Sequence, residues 1–102
     1  MREGAVRLIE YKVKADKLGE QEAAIAEWIG TVAGANDPGV SYTVLKAEDG
    51  LSFRHIIWGQ DEAAIGRLQT LPLFKSFAEG IGARSEDGVT STKFSVLGST
   101  PA

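Results

Sequence analysis

The spacing of apolar residues changes several times along the chain, and each change marks an element. Ala5 to Lys14 is rich in β-branched and aromatic residues, with Val6 and Leu8 on one parity and Ile9, Tyr11 and Val13 on the other. Successive strand side chains point to opposite faces, so this reads as a strand covered at least in part on both sides. Asp16 is placed to cap a helix running to about Gly34, along which Leu18, Ile25, Ile29 and Val32 recur at helical spacing with Trp28 beside them. Glu20, Gln21, Glu22 and Glu27 fall elsewhere, and Asn36-Asp37-Pro38-Gly39 ends the helix. Val40 to Ala47 and Phe53 to Gln60 read as two strands, joined through Glu48-Asp49-Gly50, a hairpin signal. Asp61 then caps a short helix from Glu62 to about Gln69, which Leu71-Pro72 breaks or re-aims. Phe74, Phe77, Ala78 and Ile81 stand at i, i+3, i+4 and i+7 of a second helical stretch, weakened at its end by Gly80 and Gly82. A turn at Ser85-Glu86-Asp87-Gly88 leads to a last strand, Val89 to Leu97, and residues 99–102 read as a loose tail.

The order is β-α-β-β-α-β, which predicts an α+β, ferredoxin-like sandwich: a four-stranded antiparallel sheet with both helices on one face. The strands carry apolar side chains on both faces, among them Phe53 and Ile57 against Ile56 and Trp58. A second cover is therefore expected, and a homodimer joined through its sheet faces is the simplest supply.

Composition narrows the functional classes. A chain of 102 residues with 43% hydrophobic and 25% charged content suits one soluble domain over 1–102, with its core at about 5–98. Eleven basic against 14 acidic residues give a net charge of −3, which argues against a nucleic-acid partner. The absence of cysteine excludes disulfides, thiolate catalysis and Cys-ligated metals, and a single histidine argues against a multi-His site. No phosphate-cradling glycine motif is present, so neither cofactor nor metal is expected. No apolar run approaches the roughly 20 residues that span a bilayer, and Met1-Arg2-Glu3-Gly4 does not read as a signal peptide, so no membrane partner and a cytoplasmic location are expected.

His55 is the one side chain whose ordinary pKa lies near neutrality, which makes it the natural candidate for a general base toward a phenolic proton. The plainer reading is a sheet histidine bonded to backbone or to a partner subunit. Tyr42 and Trp58 suit a flat aromatic ligand, and Trp28 is placed to close one wall, although buried aromatics are mostly core. Arg54, with Arg7 and Arg67, is a candidate to stabilise an enolate or phenolate, against the alternative of a solvated edge.

The stretches His55-Ile56-Ile57-Trp58-Gly59-Gln60-Asp61-Glu62-Ala63-Ala64, Leu71-Pro72-Leu73-Phe74-Lys75-Ser76-Phe77 and Phe94-Ser95-Val96-Leu97-Gly98-Ser99, in this order of elements, resemble the antibiotic-biosynthesis-monooxygenase-like family of dimeric α+β barrels. The resemblance spans about residues 5–98. It implies one of two chemistries. Some members oxidise phenolic polyketides without a cofactor, the substrate anion itself reducing oxygen. Others degrade haem with an Asn, a Trp and a His at places that read here about Ile9, Arg67 and Ala78, none of which matches. The resemblance therefore implies a cofactor-independent monooxygenase acting on an aromatic or polyketide-type molecule, or a non-catalytic dimeric binding module of the same superfamily. A cleft holding His55, Trp58 and an arginine around a void would favour the enzyme. One filled by Phe74, Phe77 and Ile81 would favour the module.

Overall fold

A computed structural model describes residues 2–101. Four strands, β1 (Ala5–Lys12), β2 (Val40–Lys46), β3 (Ser52–Gly59) and β4 (Thr90–Ser95), form an antiparallel sheet in the order β2-β3-β1-β4. The helices are α1 (Leu18–Ala35), α2 (Glu62–Gly66) and α3 (Phe74–Arg84), with 3-10 turns at Ala15–Lys17 and Arg67–Thr70. The expected α+β, ferredoxin-like arrangement is the one observed.

Strand parity divides the side chains as the pleat requires. Tyr11, Phe53 and Ile57 lie on the helix-covered face and pack with Trp28 of α1 and with Phe77 and Ile81 of α3 into one core. On the opposite face Val6 and Trp58 are buried while Leu45 and Phe94 are about half exposed. Trp58 owes its cover to the N-terminal segment: its indole N–H donates to the Arg2 carbonyl at 3.0 Å, and the Arg2 guanidinium sits 4.4 Å from the ring centroid.

Two boundaries differ from the sequence expectation. Asp16 does not cap α1. It lies inside the preceding 3-10 turn, so that Lys17 takes the N-cap position and no side chain caps the helix. The last strand stops at Ser95 rather than Leu97, because its partner β1 begins at Ala5, which pairs with Ser95, while residues 2–4 before it leave the strand conformation. Gly80 and Gly82 sit in the last turns of α3, which runs to Arg84 and stops just before the expected turn at Ser85. The tail expected over 99–102 ends at Ala102, which lies outside the described residues.

Other local signals act as read. Asp61 caps α2 by accepting from the Ala64 N–H at 2.8 Å. Asn36 takes a left-handed conformation (φ 50°) to close α1. Gly50 supplies the positive φ of 75° in the β2–β3 hairpin, and Asp49 accepts from the backbone N–H groups of Leu51 and Ser52. That set of donors, with the Ser52 hydroxyl foremost, holds the Asp49 carboxyl down at about 2.

The end of α3 is pinned to the end of β1. The Lys14 N–H donates to the Arg84 carbonyl at 2.9 Å, and Val13 and Ser85 form an isolated antiparallel bridge. This tie brings the last turn of α3 beside Tyr11 and the first turns of α1.

Candidate functional site

The helix-covered face carries the polar side chains of the site. His55, with no exposed surface, stands in the middle of β3 between Phe53 and Ile57 on the same parity. The Tyr11 hydroxyl, from the neighbouring strand β1, lies 2.6 Å from His55 Nε2, and the Tyr42 hydroxyl, from β2 on the other side, lies 2.8 Å from Nδ1. Both ring nitrogens are therefore occupied by phenols of the same chain rather than by backbone.

Two more residues continue the chain of bonds. Gln21 of α1, fully buried, donates through Nε2 to the Tyr11 oxygen at 2.8 Å. Arg84 of α3 donates through Nε to Gln21 Oε1 at 2.7 Å. Five residues from two helices and three strands thus form one continuous line: Arg84, Gln21, Tyr11, His55, Tyr42.

Burial sets the protonation of this line. It disfavours the imidazolium and pulls the His55 pKa from 6.5 to about 4, so the ring is neutral at pH 7. Burial likewise pushes the Tyr42 phenol up to about 12, partly opposed by the nearby Trp28 N–H, and raises Tyr11 above its ordinary range against the donation from Gln21. The Trp28 indole N–H lies close enough to Tyr42 to favour its oxygen as an acceptor but outside hydrogen-bonding geometry, and is buried without a partner.

A pocket of about 200 Å³ opens between the sheet and the helices. Ile9, Ile57, Leu68, Phe74, Phe77 and Ile81 give it apolar walls, and the only lining residues with polar side-chain atoms are Trp28, Tyr42 and His55. Trp28 stacks on Phe77 (centroids 5.3 Å apart, planes at 17°) and meets Tyr42 edge-on at 6.1 Å. Phe74, Phe77 and Ile81 line the void without filling it.

The four residues singled out from sequence do not form one cluster. His55 and Tyr42 meet in the pocket wall. Trp58 and Arg54 stand on the opposite face of the sheet, since their even parity on β3 turns them away from His55. There Trp58 packs under Arg2, and Arg54 pairs with Glu10 at 3.0 Å. Arg7 and Arg67 do not line the pocket either: Arg7 pairs with Glu62 at 2.8 Å, and Arg67 grips Asp37 through two bonds of 2.8 and 3.2 Å. Arg84 reaches the site instead. Sequence reasoning missed Arg84, Gln21 and the role of Tyr11. Among the described residues no cluster of three His, Cys, Asp or Glu side chains is arranged to hold a metal, and no helix is long and apolar enough to cross a membrane.

No family model matches the sequence, and no curated protein matches it. Solved structures do match in fold. SnoaB, a cofactor-independent oxygenase from Streptomyces nogalater, is similar with a TM-score of 0.75 at 22% identity, over 96% of this chain and 97% of that one. Rv0793 from Mycobacterium tuberculosis superposes with a TM-score of 0.80 at 13% identity, over 95% of this chain and 98% of that one. A protein described as an antibiotic biosynthesis monooxygenase matches with a TM-score of 0.78 at 14% identity, over 92% of this chain and 99% of that one. The fold of this chain is that of the antibiotic-biosynthesis-monooxygenase-like proteins, as the sequence resemblance implied.

Proposed function

We propose that this protein is a cofactor-independent oxygenase that takes a small electron-rich phenol or enol into the pocket between sheet and helices. The observation that carries the reading is a pocket with largely apolar walls into which half-buried Tyr42 brings a hydroxyl backed by a buried neutral imidazole. An aromatic anion can pass electrons to dioxygen directly, so such a site has only to bind the anion, exclude water and stabilise its oxygen. Where a ring CH₂ becomes a carbonyl, one O₂ is consumed: one oxygen atom stays on carbon, and the other leaves as water with the two hydrogens. A cavity of about 200 Å³ suits a single substituted ring better than a multi-ring polyketide, since roughly 150 Å³ of apolar void holds benzene.

In this reading His55 is not the base that its ordinary pKa suggests. Both nitrogens are engaged, and a pKa of about 4 makes it a weak proton acceptor at pH 7. Tyr42 is the residue that meets the substrate oxygen: the phenol gives its proton to bulk water before it enters, and the pocket holds the resulting anion through that hydrogen bond. The same observation gives a second reading some support: a binding module needs no base. We also propose that the sheet face bearing Leu45 and Phe94 pairs with a second copy of the chain.

Oxygen uptake with one- and two-ring hydroxylated aromatics, for wild type and Tyr42→Phe, tests the oxygenase reading. Expected is uptake by wild type that falls about a hundredfold in Tyr42→Phe, the usual loss for one oxyanion donor. Ligands that raise the melting temperature without any oxygen uptake would transfer the pocket to the binding-module reading.

A further inference from the structure

The line from Arg84 to Tyr42 has a direction, and the direction follows from donor and acceptor bookkeeping alone. A guanidinium only donates, so its bond to Gln21 fixes the amide with oxygen toward Arg84 and nitrogen toward Tyr11. The Tyr11 oxygen thus accepts from Gln21. A neutral imidazole has one donor and one acceptor nitrogen, which leaves two arrangements. In the first, Tyr11 donates to Nε2 and Nδ1–H donates to Tyr42. In the second, Tyr42 donates to Nδ1 and Nε2–H donates to Tyr11, which then accepts twice and keeps a hydroxyl hydrogen with no acceptor.

The orphaned hydrogen decides between them. Tyr11 is buried in the core, whereas Tyr42 is half-buried on the pocket wall. An unsatisfied donor is least costly where a ligand or water can accept from it, which selects the first arrangement. Gly80 makes room for the start of the line: a Cβ there would fall 2.7 Å from both terminal nitrogens of Arg84.

We propose that Arg84 and Gln21 are positioning residues that hold His55 in its Nδ1–H tautomer and leave the Tyr42 hydroxyl as a free donor, so that the pocket selects ligands presenting an oxygen acceptor, a carbonyl or a phenolate, at that point. The ligand half of this inference rests on the oxygenase-type reading of the pocket. The direction of the line does not.

The chain has one histidine, so a long-range ¹H–¹⁵N spectrum reads its tautomer without assignment. Wild type is expected as Nδ1–H. Gln21→Glu, nearly isosteric, offers Tyr11 a carboxylate acceptor, turns the Tyr11 hydroxyl around and is expected to switch His55 to Nε2–H. Gly80→Ala favours the helix intrinsically while displacing Arg84, and is expected to give a mixture of tautomers. An Nε2–H wild type, or no change in Gln21→Glu, overturns the proposal. Acetophenone, one ring with an acceptor and no hydroxyl, is the ligand probe. Its affinity is expected to drop roughly fivefold in Gln21→Glu, where the Tyr42 hydrogen is committed to His55. Equal affinity for both proteins overturns Tyr42 as the terminal donor. A tautomer switch with no acetophenone binding to either protein upholds the direction and counts against the pocket's assigned use.

Discussion

The Tyr11 hydroxyl stands 2.6 Å from Nε2 of His55, its diagonal neighbour across the β1–β3 pairing, where Ile9 is directly opposite His55 and Phe53 opposite Tyr11. Tyr11→Phe removes the oxygen but keeps the ring that stacks on Phe53 at 5.6 Å. It leaves the Gln21 amide and the His55 nitrogen buried without partners, and each such group costs about 1–3 kcal/mol. The variant is expected to lose about 2 kcal/mol or more in urea unfolding while keeping the fold. A loss under about 0.5 kcal/mol would mean that water or a local shift satisfies both groups.

Acid should weaken the protein in a window set by His55. Its pKa falls from 6.5 in the unfolded chain to about 4 in the fold, so between these values the unfolded state binds more protons. Stability then rises with pH across the window: the contribution is full above about 6.5 and is lost as pH falls toward about 4, on the order of 3 kcal/mol in total. Asp49, lowered from 3.8 to about 2, acts in the same direction but only at lower pH. Urea midpoints from pH 7.5 down to pH 4.5 separate the two, and a flat profile there for wild type would falsify the assignment of a buried neutral imidazole.

Much of this architecture is visible in the pattern of residues. The sheet order follows from a β-α-β-β-α-β sequence, and parity alone puts His55 with Phe53 and Ile57. The same parity separates Trp58 and Arg54 from His55, so grouping all four set aside the two-residue period of a strand. Gln21 was legible too. It lies four residues before Ile25 and seven before Trp28, on the apolar stripe of α1, where a buried amide must have partners. Arg84 similarly stands seven residues after Phe77 and three after Ile81 on α3. What no local pattern contains is the tie between Val13 and Ser85 that carries Arg84 to Gln21, since it joins positions more than 60 residues apart.

The half-exposed sheet face yields a prediction about assembly. Phe94 on β4 lies opposite Val6, with Leu45 at the far edge of the sheet on the same face. A carboxylate at Phe94 places a charge in any interface formed there and leaves the pocket on the other face untouched. Light scattering is expected to give a dimer mass for wild type and a monomer mass for Phe94→Glu at the same concentration. A wild type that stays monomeric at concentrations of tens of micromolar sinks the paired-sheet proposal.

Gly59, where β3 gives way to α2, is the close approach on which the pocket's far wall depends. A Cβ at this position would come 2.6 Å from Ile65 Cγ1 and 2.9 Å from the Asp61 carbonyl oxygen. The isoleucine side chain can yield, but the carbonyl belongs to the capping turn of α2, so a methyl group moves the helix start itself. Ile65 and Leu68, both buried, would shift with it, and Leu68 is part of the pocket wall. Gly59→Ala is therefore expected to destabilise by about 1–3 kcal/mol through overpacking, despite the higher intrinsic strand and helix preference of alanine. Thermal unfolding measures the loss, and a crystal structure of the variant should show α2 displaced from β3. An unchanged melting temperature would mean that the turn gives way freely, and that the helix start does not hold the pocket wall in place.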